Sequence, residues 1–361
     1  MRIRDYGLTV GSLPTGPLNR ISDVPGVTVG HATIVSATHN TGVTVVLPCP
    51  DNPFVNKLPC ASFVLNGFGK TAGLVQIDEL GTLETPIALT NTLNVGLVHD
   101  AMVEYMARLC EKDGVEMRSV NPVVCECNDA SLNDIRHRAV GQEHVFAAID
   151  AACAEFEEGA VGCGRGMTCH GLKGGVGSAS RRIELDGRVY TLGVLVQTNH
   201  GRLRDLTIDH RPIGEDIWRA LNENKPDRGS CIVILATDIP LSDRQLKRVV
   251  KRCSVGLARL GSFIGHGSGE VFIGFSTANR VPHTPARAIV DVKAFSEDYI
   301  DLCFRAAAEA TEEAVLNSMV AAEDVTGYGG HTRLSGALPR ACGKGDCRNH
   351  ARSRKTVMRQ A

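Results

Sequence analysis

The chain has 361 residues, with 39 Lys+Arg against 40 Asp+Glu, 43% hydrophobic residues, 38 Gly and 13 Cys. This is a globular composition, and charge so close to balance excludes the strong basic field that nucleic acid or an anionic membrane surface would call for. A charged fraction of 22% beside abundant Val, Ile, Leu and Ala also excludes a disordered chain.

A chain of this size buries about 75% of the surface its unfolded form exposes, so a sizeable core needs no metal or disulfide staple. Length alone suggests two domains at about 150 residues each. The sequence shows no low-complexity linker and no repeat of fixed period, so one compact domain over 1–340 is the better reading. The charged start, Met1 to Gly7, has no apolar segment of the secretory kind, and no run of about 18 apolar residues occurs. Thirteen scattered cysteines without a leader read as reduced thiols in a cytoplasm.

Taken in chain order, the first clear strand is Gly42 to Leu47, ended by Pro48-Cys49-Pro50, and Ser62 to Asn66 is a second. From Val95, the apolar positions Val98, Met102, Tyr105 and Leu109 mark one face of a helix that stops near Gly114. A further helix is expected over 142–158. Between Gly171 and Asn199 a Gly-rich strand, the turn pair Asp186-Gly187 and the run Tyr190 to Thr198 predict a β-hairpin. Two apolar strands follow, Cys231 to Ala236 and Val271 to Phe275. Between them, Ser242 with Gln245 makes a capping box, and Leu246, Val249, Val250, Cys253 and Leu257 form the buried stripe of a helix. A last helix starts after Ser296 and runs to about Val320. The segment 222–229 reads as an exposed connection, and the tail from Arg340, with seven basic residues and one acidic, as a solvated extension.

Two segments carry candidate chemistry. In Gly229-Ser230-Cys231 a polar loop ends in Gly, and Ser stands first in a buried-type strand. Its hydroxyl lies next to a carbonyl that no side chain shields, the local arrangement for an N-to-O acyl shift. If that bond broke, Ser230 would carry an α-amine of pKa about 7.7–8.0, able to serve as its own general base. In Gly265-His-Gly-Ser-Gly-Glu270, strand alternation sends Ser268 and Glu270 to one face, where a hydroxyl and a carboxylate can relay a proton.

Other motifs fail on inspection. Lys173 to Arg181 lacks the order of a phosphate loop and enters a strand rather than a helix, and Gly162 to Gly166 fails the dinucleotide pattern in the same way. Cys125 with Cys127 is too closely spaced for a zinc pair, while Cys342, Cys347 and His350 are loosely spaced in the basic tail. No metal and no cofactor is expected.

Together these pieces resemble the L-aminopeptidase/D-esterase (D-amidase) family, which includes the β-peptidyl aminopeptidases. The likeness spans most of the chain. It is carried by Gly16 to His31, Thr85 to Gly96, Lys173 to Arg181, Gln197-Thr-Asn199, and Gly229-Ser230 followed by Ser268 and Glu270. The resemblance implies an α+β fold of αββα sandwich type and a self-processing N-terminal-nucleophile hydrolase. It implies cleavage into 1–229 and 230–361, with Ser230 as nucleophile, Ser268 and Glu270 activating it, and Asn199 donating to the oxyanion. Substrates would be small peptides, amides or esters with a free amine, handled by a homo-oligomer of processed subunits, with no nucleic acid and no membrane as partner. A free ammonium needs an acidic group near the nucleophile, for which Glu126, Asp129 and Asp134 are candidates.

Three departures stand out. Ser131 occupies a position where the family carries an active-site Tyr, Lys70 stands where a Glu is usual, and the Cys-rich tail has no counterpart. These feed a rival reading, a catalytically weakened relative that binds rather than cleaves. Acyl transfer on a related fold is another alternative, but it uses Thr as nucleophile, and Ser230 argues against it.

Overall fold

The computed structural model describes residues 1–221 and 229–335. Most of the 222–229 connection and the whole tail from Arg340 lie outside the described residues, while Gly229, read above with that exposed connection, is buried because it leads directly into a central strand.

Nine strands build two sheets. Strands β1 (Thr28–Val35), β2 (Asn40–Leu47), β4 (Ile87–Asn91) and β5 (Val123–Cys127) form a four-stranded sheet in the order β1-β2-β4-β5, with β4 and β5 parallel. The second sheet runs β3 (Asn56–Gly67), β9 (Gly269–Ser276), β8 (Ser230–Thr237), β7 (Arg188–Asn199) and β6 (Val176–Leu185), with two-residue strands added on β3. Only the central pair β8 and β9 is parallel.

Period-two alternation explains how the sheets stack. Along β8, Ile232, Ile234 and Ala236 enter a core shared with Val46, Ile87, Leu89 and Cys125 of the smaller sheet and with Ile77 of α1 (Leu74–Leu80). Cys231, Val233 and Leu235 enter a second core, which includes Ile213 of α4 (Ile213–Leu221) and is covered by α5 (Asp243–Val250), α6 (Cys253–Arg259) and α7 (Ile300–Val320). On the far side of the smaller sheet, Val43, Val45, Ala88 and Val124 pack against α2 (Val95–Lys112) and α3 (Gln142–Asp150). The layers are therefore helix, sheet, sheet, helix, as expected. Each fully buried Ile, Leu or Val contributes about 1.5–3 kcal/mol, and with both faces of β8 covered this strand holds its side chains in fixed positions.

Several boundaries differ from the sequence reading. Helix α3 ends at Asp150 rather than 158, because the chain turns to bridge Cys153 with Val29 at the edge of β1. The stripe after Ser242 is divided between α5 and α6 by a turn at 251–252. Strands β1, β4 and β5 escaped prediction, being short or mixed in polarity. The hairpin is as expected: β6 and β7 pair in register, from Arg188 with Leu185 to Gln197 with Val176. No helix among the described residues is long and apolar enough to cross a membrane.

Candidate active site

The site forms where three strand ends of the larger sheet meet. Ser230, the first residue of β8, lies opposite Asn199 at the end of β7 and opposite Gly269 at the start of β9. All are buried. In register Ser230 shares the inter-sheet face of Ile232, and Asn199 that of Leu195, so hydroxyl and amide stand on the same side of the sheet.

Gly229 is fixed here by close approach. A Cβ at this position would stand 1.7 Å from the carbonyl oxygen of Asn199, an overlap that no L side chain could relieve without moving backbone. Its own carbonyl accepts the Gly269 N–H at 2.9 Å, so the peptide unit that precedes Ser230 is held in place and polarised.

Asn199 is oriented through its side-chain oxygen. Oδ1 accepts from the Thr168 backbone N–H at 2.9 Å and from the Thr168 hydroxyl at 3.2 Å, which directs Nδ2 the other way, to the carbonyl of Asn128 at 2.9 Å. An amide nitrogen carries two protons, so Nδ2 can serve Asn128 and a second acceptor. Thr168 is held by the turn beneath it, where the buried Lys173 ammonium donates to the carbonyls of Gly164, Met167 and Gly174 at 2.6–2.9 Å. Burial lowers that ammonium to about 7.

The Ser268 hydroxyl donates to Glu270 Oε1, so the expected pair forms on one face. That face is the helix-covered one: Glu270 pairs in register with Cys231 and shares the side of Phe272. The pair therefore flanks Gly269 from beneath, on the backbone side of Ser230. Asn66 Nδ2 fixes the turn by donating to the carbonyls of Gly265 and Ser268 at 2.8 and 2.6 Å. Sequence reasoning missed Asn66 and Thr168, because each acts through a partner 31 or more residues away.

The three acidic candidates separate. Asp134, itself buried, turns to the exposed Arg136 at 3.5 Å and His137 at 3.8 Å. Asp129 is fully buried, accepts from Asn133 Nδ2 at 3.1 Å, and burial raises its carboxyl to about 6. Glu126, at the end of β5, accepts the Lys70 backbone N–H at 3.0 Å and the Thr92 hydroxyl. The 67–70 loop that holds it also lies on Gly269, where an added Cβ would come within 2.7 Å of the Phe68 carbonyl. One loop thus joins Glu126 to the start of β9.

The departures have definite places. Lys70 lays its ammonium 4.9 Å from the centre of the Phe68 ring, so its charge is spent on an aromatic face. Ser131 is half-buried, and its hydroxyl oxygen has no hydrogen-bond partner among the described residues. Cys125 and Cys127 pack in the inter-sheet core with thiols pushed up by burial, and hold no metal-like arrangement. Among the described residues the donor cluster is instead Cys169, His170 and His200, just behind Thr168 and Asn199.

Comparison with known proteins identifies the family. The chain is 38% identical to the β-peptidyl aminopeptidase BapA of Sphingosinicella microcystinivorans, over 92% of this chain and 88% of that protein. It is 40% identical to a β-aminopeptidase of a Burkholderia species, with a TM-score of 0.87. The L-aminopeptidase D-Ala-esterase/amidase of Ochrobactrum anthropi, described as a prototype of the serine aminopeptidases and a variant of the Ntn hydrolase fold, is 36% identical with a TM-score of 0.87. Both structures match 94% of this chain and 96% of their own. The model for peptidase family S58 matches residues 19–333. The chain therefore belongs to peptidase family S58 and is a hydrolase of the serine aminopeptidase type on the Ntn hydrolase fold.

Proposed function

We propose that the chain cuts itself between Gly229 and Ser230 into 1–229 and 230–361, and then removes N-terminal residues from small peptides, amides or esters through an acyl-enzyme on Ser230. The observation that carries this reading is the placement of Ser230: first in a central strand, preceded by a glycine that nothing else can replace, and opposite Asn199.

In maturation the Ser230 Oγ attacks the Gly229 carbonyl carbon, the Gly–Ser nitrogen leaves as an amine, and water hydrolyses the resulting ester. In turnover the same Oγ attacks the substrate carbonyl while the Ser230 α-amine accepts its proton. The oxyanion falls to Asn199 Nδ2. Ser268 and Glu270 reach Ser230 from the backbone side, where the new amine forms, and so suit the task of holding and returning that proton. Glu126 suits the substrate ammonium: its carboxylate is anchored by Thr92 and by the loop that lies on Gly269. Asp134 is committed to Arg136 and His137, and Asp129 is fully buried, with a carboxyl that burial raises toward the neutral form.

None of the described cysteines is in a disulfide, which supports a reducing compartment such as the cytoplasm. Exposed Ile289, Val290 and Val292, close together in one segment, offer apolar surface to a second copy in a homo-oligomer.

Intact mass tests the reading. Wild type splits into fragments beginning at Met1 and Ser230, while Ser230→Ala stays whole and hydrolyses no amino-acid amide. A folded wild type that remains at 38.6 kDa would sink the mechanism.

A further inference from the structure

We propose that Cys169, His170 and His200 form a binding site for a borderline-soft divalent cation of the Zn2+ class, directly behind the oxyanion position. One donor atom from each of the three lies within 4.8 Å of the other two, and all three residues are buried. A thiolate with two imidazoles is zinc chemistry, with a fourth position left to water.

The imidazoles are set up for ligation. His170 Nδ1 donates to the Arg202 carbonyl at 3.1 Å, which fixes the neutral tautomer with its lone pair on Nε2; this is the usual outer-shell arrangement of a metal-bound histidine. His200 is fully buried, and neither ring nitrogen has a hydrogen-bond partner among the described residues. A buried imidazole normally satisfies both nitrogens, so its orphaned state asks for an explanation, which a metal supplies.

The backbone holds the ligands together. The His170 N–H donates to the His200 carbonyl at 2.7 Å, and the two rings stand 5.5 Å apart. Gly201 has φ +83°, and a Cβ there would come within 2.5 Å of the His170 ring, so only glycine lets that ring lie where it does. On binding, the Cys169 thiol releases its proton to solvent and both imidazoles bind as neutral bases. Because Thr168 precedes Cys169 and Asn199 precedes His200, the cation would clamp together the two residues whose hydrogen bond aims the oxyanion donor.

The test uses full-length protein carrying Cys342→Ser and Cys347→Ser, so that tail thiols contribute no signal, stripped with a chelator and titrated with Co2+. One equivalent should bind with a thiolate-to-cobalt charge-transfer band, and Zn2+ should displace it. Adding Cys169→Ser should abolish the band, and His200→Phe should weaken uptake by at least the ~10–100-fold typical of losing a supporting residue. A folded parent that takes up no Co2+, or a band that survives Cys169→Ser, overturns the proposal. Should Cys169→Ser fail to fold by circular dichroism, His200→Phe decides alone: Co2+ binding as tight as the parent's overturns the site.

Discussion

Two buried polar regions of this molecule are satisfied to different degrees. Behind the larger sheet, the fully buried Arg181 meets Glu309 at 3.2 Å and Glu313 at 2.8 Å and donates to the carbonyls of Val10 and Ser180. The carboxylates are completed by Arg4, Asn19 and the backbone N–H groups of Ser12 and Leu13. This network ties the first twenty residues to α7 and β6. At the Ser230 end, by contrast, one oxygen of Asp129, the hydroxyl of Ser131 and both nitrogens of His200 lack partners among the described residues. The first region is closed to further partners, while the second keeps buried donors and acceptors that a substrate or an ion could engage.

Removing one member of the saturated network should show this most strongly. Arg181→Met removes the cation that the buried Glu309 and Glu313 share, leaving Arg4 to serve Glu313 alone, and we expect a loss of about 3–5 kcal/mol in chemical denaturation. A change under 1 kcal/mol would mean that Arg4 alone sustains the cluster.

At the other region the effect should fall on rate rather than stability. On the proposed mechanism Asn199→Ala removes one oxyanion donor and should lower kcat about 10²–10³-fold, near 3 kcal/mol, with KM little changed. A variant that loses substrate affinity instead would make Asn199 a binding residue.

The smallest effect concerns Asp129. Its folded carboxyl titrates near 6 against an ordinary 3.8, so the native state holds the proton more tightly, and stability falls as pH rises from about 4 through 6. The penalty, up to about 3 kcal/mol, is fully present above pH 6 and absent below 4. Asp129→Asn, which cannot ionise, should therefore raise the Tm at pH 7.5 and leave it unchanged at pH 3.5. A Tm difference independent of pH would assign the effect to packing.

Much of this was legible beforehand, for physical reasons. The β6–β7 hairpin shows itself through Asp186-Gly187, and α5 through its Ser242 capping box, because both signals are local. The Ser268–Glu270 pair follows from strand alternation alone. What alternation does not tell is which face meets which core, so the placement of that pair beneath Ser230 had to come from the register of β8 and β9. The metal-type cluster was illegible for a similar reason. His170 and His200 are thirty residues apart, and only the turn of β7 back past the 168–173 segment joins them. The choice among Glu126, Asp129 and Asp134 likewise depended on partners in distant loops.

The strand order has one last consequence. Across the larger sheet, β8 and β9 sit between β3 on one side and β7 on the other. A cut before Ser230 would thus yield two polypeptides woven through one sheet, neither of which could leave without stripping hydrogen-bonded ladders along both edges of the inserted pair. The intact precursor can find that arrangement as a single chain. The mature protein, once unravelled, would have to find it by collision of two aggregation-prone pieces, so its lifetime would be set by how slowly it opens and not by how readily it reforms.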